Sequence, residues 1–333
     1  MPSGKGSTST KKAAVARILK DKKKKGGKSF IILVVALVLL VGGAIAANFA
    51  LGNPLGDILA GLGQTDETVP VAGVPATQAE GDIRIHFIDV GQGDAILIES
   101  GSHAVLVDGG PSPRLANENI LPHIRSLGIT RLDYVISTHP HLDHIGGLPT
   151  IMDYLDVGHV LMPNATHTTR AFENFLDAID NNNIPEPTIP YRGQWFSAGA
   201  INFQVVSPGE GDFTNNFNNG SIVIRMDHGS TSVLLTADAE IPAERSMLES
   251  DVNLNADLML AGHHGSRTSS SQDFVDAINP RYAVISVGEG NRYNHPNQEV
   301  LDTFSERNVT VYRTDQLGTI IFITDGTTIR RYN

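Results

Sequence analysis

Three histidines and one aspartate fall within six residues of this 333-residue chain. They are His139, His141, Asp143 and His144, and they follow an apolar run, residues 132–138, that is typical of a strand. Imidazole nitrogens and carboxylate oxygens are the usual protein ligands of zinc and similar ions. A metal site that keeps one position for water supplies hydroxide near neutral pH, so the cluster indicates hydrolysis. The weaker interpretation is a polar loop whose histidines only cap the next helix.

The spacing within the cluster allows two ions to bind side by side. A loop that leaves a strand can turn His139 and His141 toward one ion, while Asp143 and His144 point toward a neighbouring one. Asp238 follows another apolar run, residues 232–236. A carboxylate there could bridge two cations, or it could simply cap the helix that comes next.

A pair of histidines, His263 and His264, stands at a third strand end, after residues 257–260. One of them is expected to be a metal ligand and the other to face the substrate, and the sequence leaves open which. His264 is also a candidate catalytic residue. Asp143 or Asp238 would orient the attacking water.

Other polar residues are candidates to contact the substrate. His295 could donate a proton to the leaving group, or it could cap the helix that begins near residue 297. Gln92 and Asp94 lie in a turn flanked by glycines, which a plain hairpin explains equally well. Ser266 and Arg292 complete the set of predicted substrate-binding residues.

The order of these motifs resembles the metallo-β-lactamase superfamily. The motifs are Phe-Ile-Asp-Val-Gly-Gln-Gly-Asp-Ala at 87–95, Leu-Val-Asp-Gly-Gly at 106–110, the histidine cluster, Leu-Thr-Ala-Asp at 235–238, and His-His-Gly-Ser at 263–266. Within the superfamily, residues 82–331 are most similar to the hydrolase domain attached to ComEC-type DNA-uptake channels. Phosphorylcholine esterases of cell-wall teichoic acid are similar too. The resemblance implies an α/β fold, an αββα sandwich with a metal site at the edge where two sheets meet.

The same resemblance implies a role for each motif residue. It assigns His139 and His141 to a first ion, Asp143 and His144 to a second, Asp238 to the bridge between them, and His263 or His264 to the last ligand position. Asp108 would accept a hydrogen bond behind the histidine loop without binding metal. The implied cofactors are two divalent ions, zinc or manganese.

Two positions depart from the family pattern. Many members carry a further histidine before the bridging aspartate, but residues 216–221 here read Asn-Phe-Asn-Asn-Gly-Ser, and His228 lies in a predicted hairpin turn. The first ion is therefore expected to be loosely held, which argues against a lactamase more than against a hydrolase. Ala237 replaces the usual glycine before Asp238, a change expected to be tolerated.

The N-terminal segment has the pattern of a membrane anchor. Residues 1–29 contain ten Lys or Arg and one acidic residue, and residues 30–51 contain no charge. This uncharged run can cross a hydrocarbon core of ~30 Å as one helix, with its basic flank in the cytoplasm. A cleaved secretion signal is the alternative, with Ala-Ile-Ala at 44–46 as its cleavage site. Residues 52–81 are a predicted flexible linker, and residues 82–333 a predicted hydrolase domain outside the cytoplasmic membrane.

The charge of the remaining chain bears on the substrate. Beyond residue 29 there are 15 arginines, no lysine and 35 acidic residues, a formal charge of about −20. Such a surface disfavours broad nucleic-acid binding, because phosphate contacts draw on clustered cations. Arg267, Arg281 and Arg292 could still form a local phosphate-binding patch. The chain has no cysteine and therefore offers no disulfide.

The sequence leads to one main hypothesis and two alternatives. The main hypothesis is a membrane-anchored, extracytoplasmic, metal-dependent phosphodiesterase that acts on DNA together with a separate DNA-uptake channel protein. The first alternative is a phosphodiesterase for a small or cell-wall phosphocholine substrate. The second is a non-catalytic membrane-anchored scaffold, which would be marked by broken ligand motifs, whereas these motifs are mostly intact.

Overall fold

The computed structural model describes residues 81–213 and 216–332. The strands of this part are β1 (Ile83–Phe87), β2 (Ile96–Ser100), β3 (His103–Val107), β4 (Arg131–Ile136), β5 (Asp156–Leu161), β6 (Trp195–Ala198), β7 (Ile201–Ser207), β8 (Val223–His228), β9 (Thr231–Leu235), β10 (Leu258–Leu260), β11 (Tyr282–Ile285), β12 (Thr310–Arg313), β13 (Ile320–Thr324) and β14 (Ile329–Tyr332).

The helices lie between these strands. They are α1 (Pro113–Leu115), a π-helical turn (Ala116–Ile120), α2 (Leu121–Ser126), α3 (Leu142–Ile145), α4 (Leu148–Tyr154), α5 (Arg170–Asn181), α6 (Ile241–Leu248), a 3-10 turn (Gly262–Gly265), α7 (Gln272–Ile278), α8 (Gln298–Glu306) and α9 (Thr314–Leu317). Helix α5 begins after Thr169, whose Oγ1 accepts a hydrogen bond from Phe172 N (3.4 Å) as the N-cap.

The strands form two mixed sheets of seven strands each. The first has the order β14-β13-β1-β2-β3-β4-β5, and the second has the order β12-β11-β10-β9-β8-β7-β6. Strands β3 to β5 run parallel in the first sheet, and β9 to β12 run parallel in the second. The carboxyl ends of β3 and β4 therefore share one edge of the first sheet, and those of β9 and β10 share one edge of the second.

Alternating side chains divide the apolar core into three layers. On β2, Ile96 and Ile98 pack between the two sheets, whereas Leu97 packs on the outer face against helices α2, α4 and α5. On β9, Val233 and Leu235 point between the sheets, and Leu234 packs against helices α6 to α8. Strands buried on both faces need a helix layer outside each sheet. The αββα sandwich predicted from the motifs is confirmed.

Three strands were not predicted from the sequence. They are β6, β12 and β14, each of four residues and each at the end of a sheet. Edge strands have a neighbour on one side only, so their sequences need less apolar alternation than central strands. β12 shows this, because none of its residues is fully buried.

Close backbone contacts hold the histidine loop between β4 and α4. A Cβ atom added to Gly147 would lie 2.1 Å from the carbonyl oxygen of Gly109, and one added to Gly93 would lie 2.3 Å from the carbonyl oxygen of Asp143. Only glycine permits such approaches. The β1–β2 loop and the end of β3 are thereby stacked on the loop that carries the histidine cluster.

The predicted anchor at residues 30–51 and the linker at 52–81, except for its last residue, lie outside the described residues. Within the part that the structure describes, no helix has the length and apolar character needed to cross a membrane.

Phe203 on β7 tests the packing between the sheets. Its ring is fully buried, stacks on Phe196 (centroid distance 5.6 Å) and meets the edge of Tyr134 from the opposite sheet (5.7 Å). Phe203→Ala should lower the free energy of unfolding by about 3–5 kcal/mol, because it leaves a cavity between the sheets. Leu317→Ala is the control: its side chain is 44% exposed, so the loss should stay within about 0.5 kcal/mol. Urea denaturation measures both, and equal losses would contradict the assignment of this layer as the main core.

Candidate metal centre

The ends of four parallel strands carry the predicted site residues. Asp108 directly follows β3 and His139 lies three residues after β4, while Asp238 and His264 lie just beyond β9 and β10. The two sheets meet at this edge, because His139 Nε2 of the first half lies 3.5 Å from Asp238 Oδ2 of the second. The site therefore forms where the carboxyl ends of strands from both sheets converge.

The buried carboxylate of Asp238 stands at the middle of the site. Its Oδ2 atom faces His139, whereas its Oδ1 atom lies 3.3 Å from His144 Nε2 and 3.5 Å from His264 Nε2. Each oxygen thus faces a different set of imidazoles. This is the placement that a carboxylate needs to join two cation positions.

Three groups of side chains bring ligand atoms within 4.8 Å of one another. They are His139, His141 and Asp238; Asp143, His144 and His264; and Asp94, His144 and Asp238. Six of the predicted ligands are therefore brought together, in an arrangement that separates the predicted first-ion residues from the predicted second-ion residues.

The two neighbouring histidines of the 3-10 turn occupy different environments. His264 Nε2 lies 3.5 Å from Asp143 Oδ2, and the ring is buried. His263 belongs to none of the three groups, although its Nε2 lies 3.6 Å from Asp238 Oδ2; its Nδ1 lies 3.3 Å from Glu240 Oε1 and its ring is partly exposed. The geometry favours His264 as the ligand and His263 as the histidine that faces the substrate, an alternative that the sequence left open.

Hydrogen bonds to Nδ1 orient three of the imidazoles. The Nδ1 of His144 donates to Asp108 Oδ2 (2.7 Å), and that of His264 donates to the carbonyl oxygen of Ser286 (2.9 Å). Thr138 Oγ1 accepts from His139 Nδ1 (3.1 Å) and donates to Asp108 Oδ2 (2.7 Å). With Nδ1 as the donor in each ring, the Nε2 lone pair of the neutral imidazole would point into the cluster.

Thr138, Glu240 and the Ser286 carbonyl were not predicted as site residues from the sequence. Thr138 and Glu240 lie within two residues of a predicted ligand, and this proximity is the one signal that could have pointed to them. The backbone carbonyl of Ser286 carries no signal in the sequence, since any residue would supply it.

Several buried polar atoms of the cluster have no hydrogen-bond partner among the described residues. They are His144 Nε2, His264 Nε2, Asp238 Oδ1 and Asp94 Oδ1. A buried polar atom without a partner costs about 1–3 kcal/mol, so such atoms rarely occur together in a folded protein. Cations in the cluster would satisfy all four. The imidazole and carboxylate donors suit zinc, manganese or iron, and the residues therefore fit two divalent ions.

The electrostatics of the cluster support the same conclusion. Burial lowers the pKa of His264, but the carboxylates of Asp238 and Asp94 outweigh it and raise that pKa to about 9. Burial would raise the pKa of Asp238, but the imidazoles around it hold that pKa well below its usual value. Burial raises the pKa of Asp94 to about 6. The carboxylates together create a negative potential that attracts protons, and bound cations would replace those protons.

The predicted substrate-binding residues fall into different positions. Asp94, a predicted substrate contact, is buried against His144 and His264, and its backbone N–H donates to the Asp143 carbonyl (3.3 Å). Ser266 also turns away, since its hydroxyl pairs with Thr268 Oγ1 (2.9 Å) within its own loop.

Gln92 Oε1 accepts a hydrogen bond from the backbone N–H of Gly288 (3.3 Å) and so ties the β1–β2 loop to the loop after β11. That second loop carries the two remaining candidates. Arg292 is exposed over the ring of Tyr293, and the ring of His295 lies 5.7 Å from that of His263. His295 does not cap the following helix, because the N-cap of α8 is Asn297.

The predicted three-arginine patch does not form at the site. Arg281 precedes β11, at the opposite end of that strand from the metal centre, and lies over the ring of Tyr282. The segment that lacks the family's extra histidine does border the site. It places the ring of Phe217 at 5.8 Å from that of His141, while His228 ends β8 and bonds the carbonyl of Gly81 (3.0 Å).

The residue before Asp238 tests the backbone of the site. Ala237 has φ +47°, a left-handed conformation that costs a residue with a Cβ about 1–2 kcal/mol. Ala237→Gly should therefore raise the free energy of unfolding, by about 0.5–1 kcal/mol once the greater freedom of glycine in the unfolded chain is included. Ala239→Gly, on the other side of Asp238, should instead lower it, because Ala239 is buried and has no positive φ. Thermal and urea denaturation compare the two variants; a stabilised Ala239→Gly, or a destabilised Ala237→Gly, would refute this account.

Asp108 tests how the imidazoles are oriented. Asp108→Asn keeps a residue type that tolerates the observed φ of +58°, but it removes the charge that fixes His144 and Thr138. Metal affinity, measured by chelator competition, should fall about 10- to 100-fold. Asp133→Asn is the matched control, since Asp133 bonds a histidine (His103 Nδ1, 3.1 Å) and a backbone N–H outside the cluster. Unchanged affinity in Asp108→Asn would remove Asp108 from the support of the site.

Comparison with known proteins agrees with this geometry. Residues 88–289 match the model of the metallo-beta-lactamase superfamily. The chain is 31% identical over 262 residues to ComE operon protein 3 of Bacillus subtilis, with 74% of this chain and 33% of that protein covered. It is 29% identical over 249 residues to competence protein ComA of Neisseria gonorrhoeae, again covering 74% of this chain and 33% of the relative. The chain thus spans about a third of the length of these relatives.

Among solved structures, the metallo-beta-lactamase fold protein YhfI from Bacillus subtilis is similar with a TM-score of 0.48 and 15% identity, covering 73% of this chain and all of that one. The family match spans well over half of the chain and includes every ligand of the three groups. The chain therefore belongs to the metallo-beta-lactamase superfamily, as a hydrolase-fold protein related to competence proteins.

Proposed function

We propose that this protein is a metal-dependent phosphodiesterase that cleaves DNA outside the cytoplasmic membrane. One observation carries the proposal: the buried Asp238 carboxylate turns one oxygen to His139 and the other to His144 and His264. Two cations held a few ångströms apart suit phosphodiester cleavage, because the attacking and the leaving oxygen both need positive charge nearby.

His139, His141 and Asp238 would hold the first ion, and Asp143, His144 and His264, together with Asp238, the second. When bound, the two ions polarise a phosphoryl oxygen and lower the pKa of a water molecule. Asp143 is the ligand candidate with the more accessible carboxylate, so it or Asp238 would orient the attacking water by a hydrogen bond.

His295 and His263 line the open side of the cluster. The pKa of His295 is lowered to about 4, first by burial and then by the neighbouring His263, so its imidazole is neutral at pH 7. Its Nδ1 atom is buried and has no hydrogen-bond partner among the described residues. A neutral imidazole can still donate a hydrogen bond to a substrate oxygen, and we assign this contact with the leaving group to His295.

DNA is the substrate that the relatives support. Their printed names concern competence and the ComE operon, and residues 88–289 carry the whole ligand set of this chain. The names of these relatives concern competence, and on that basis we propose that this protein works beside a separate DNA-uptake channel protein. The uncharged run at residues 30–51 and its basic flank would hold it at the membrane as a single-pass anchor, with the N-terminus in the cytoplasm.

A second candidate function is hydrolysis of a small or cell-wall phosphocholine diester. The formal charge of about −20 beyond residue 29 favours it, since a small substrate needs less basic surface than DNA does. A non-catalytic scaffold fits less well, because every ligand position of the two main groups is filled by a competent side chain.

The adjacent histidines provide the test. The full-length protein should contain two ions per chain by mass spectrometry and should cleave single-stranded or duplex DNA with Mn²⁺ or Zn²⁺. His264→Ala should lose an ion and at least about 100-fold in activity, because bound metal supplies several kcal/mol of transition-state stabilisation. His263→Ala is the matched control, since both histidines have left-handed backbones (φ +49° and +56°) and only His264 lies in a ligand group. It should retain both ions.

The results separate the candidates. Turnover of a chromogenic phosphodiester without DNA cleavage would favour a small phosphodiester over DNA as the substrate. DNA cleavage that survives the combined change of His141 and Asp143 to Ala would refute the assignment of this cluster as the active site. A protein that binds no metal under any condition would leave the non-catalytic scaffold as the remaining hypothesis.

A further inference from the structure

Aromatic rings flank the metal centre on two sides. On the first side, the ring of Phe217 lies 5.8 Å from that of His141 and 4.8 Å from that of His167. We call Phe217 and His167 the first flank. On the second side, His263 lies 5.7 Å from His295.

His295 in turn stacks on Tyr293 (5.7 Å, 26° between the planes), and the guanidinium of Arg292 lies 5.0 Å from the centre of the Tyr293 ring. His295, Tyr293 and Arg292 form the second flank. Phe217 of the first flank and Tyr293 of the second lie about 75 residues apart in the chain.

We propose that the two flanks bind the nucleosides on either side of the scissile phosphate, so that the substrate is an internal phosphodiester of single-stranded DNA. The proposal rests on the proposed function, because it takes the metal centre as the place where the phosphate is cleaved. It adds the substrate class and the residues that select it.

The second flank has the surface that a nucleobase needs. The side chain of Tyr293 is 48% exposed, although it is large and apolar. Arg292 Nη2 donates to the Tyr293 hydroxyl (2.8 Å), so the guanidinium and the ring are held together. An exposed aromatic ring beside a cation is the combination on which proteins stack single-stranded bases, with about 1–3 kcal/mol per base.

Base stacking would also allow a strongly acidic chain to bind DNA, which is itself negatively charged. The chain beyond residue 29 has a formal charge of about −20, and a polyanion gains little from long-range attraction to it. Contact between a base and an aromatic ring does not depend on net charge, and it is tolerant of sequence because every base has a π-face.

The two flanks would select an internal phosphodiester of single-stranded DNA. Bases of a duplex are paired and stacked on one another, so they are not free to lie on protein rings. Two flanks, one on each side of the metal centre, match a phosphate with a nucleoside on both sides. A terminal phosphate would fill only one flank.

Binding of single-stranded DNA by the metal-loaded, full-length protein tests the proposal. The probes are a fluorescent oligo(dT) decamer with phosphorothioate linkages, which slow cleavage, and the same decamer without bases at its central positions. Tyr293→Ala should weaken the binding of oligo(dT) about 5- to 150-fold, the equivalent of 1–3 kcal/mol, but should not change binding of the abasic decamer. Tyr293→Phe should restore most of the affinity, because its ring still stacks.

Tyr154→Ala is the matched control. Tyr154 is 58% exposed and lies under Arg125 (5.1 Å), just as Tyr293 lies beside Arg292, but it is not part of either flank. This variant should bind both probes as the unchanged protein does. Phe217→Ala should also weaken oligo(dT) binding. Combining it with Tyr293→Ala should weaken binding further, since the two flanks hold different bases.

Failure of the proposal and failure of the proposed function give different results. The proposed base binding by the flanks would be overturned if the unchanged protein bound both decamers with equal affinity, or if Tyr293→Ala lowered the affinity for both decamers equally. This holds whatever the cleavage assay shows. Base-dependent binding that Tyr293→Ala abolishes, in a protein that cleaves no DNA, would support the flanks and overturn the nuclease.

Discussion

The structure depends on keeping a buried negative charge at the meeting point of its two halves. Asp238 is almost completely inaccessible, and its two oxygens face imidazoles from both sheets. An isolated buried carboxylate is prohibitively costly unless cations or hydrogen bonds compensate it. The histidines after β4 and β10 provide that compensation, and bound cations would strengthen it. The same electrostatic requirement therefore joins the two halves and creates the metal centre.

The backbone around the cluster is shaped to serve these contacts. Asp108, Ala237, His263 and His264 all have positive φ although none is glycine. Such conformations persist only where the surrounding structure imposes them, and they concentrate at functional sites. Here the sandwich imposes them through hydrogen bonds: the Thr138 backbone N–H donates to Asp108 Oδ1 (2.8 Å), and the His263 backbone N–H donates to the Ala237 carbonyl (2.9 Å). The stability of two large sheets thus supports a strained but rigid ligand set.

The groups around the metal cluster bear on how a strongly acidic chain could bind a negatively charged substrate. A strongly acidic chain that handles a polyanion needs attraction from something other than net charge. Under the proposed function, bound ions would supply local positive charge at the metal centre, and the aromatic flanks would add contacts that salt does not screen. Within residues 216–221, where the family resemblance implies a further histidine, the ring of Phe217 lies beside that of His141.

Much of this protein was determined by its sequence alone. The apolar runs predicted strands β4, β9 and β10, because strands buried on both faces are apolar throughout. The spacing of His139, His141, Asp143 and His144 indicated a metal cluster, because ligand chemistry depends on residue type. The short edge strands β6, β12 and β14 left no such pattern. Only the tertiary structure gave His263 and His264 different surroundings, since the Ser286 carbonyl that orients His264 is 22 residues away. It also buried Asp94 and brought Phe217 and Tyr293 to opposite sides of the site. These contacts join residues that are far apart in the chain. Local sequence patterns do not predict them, because the packing of the two sheets sets the distances between such residues.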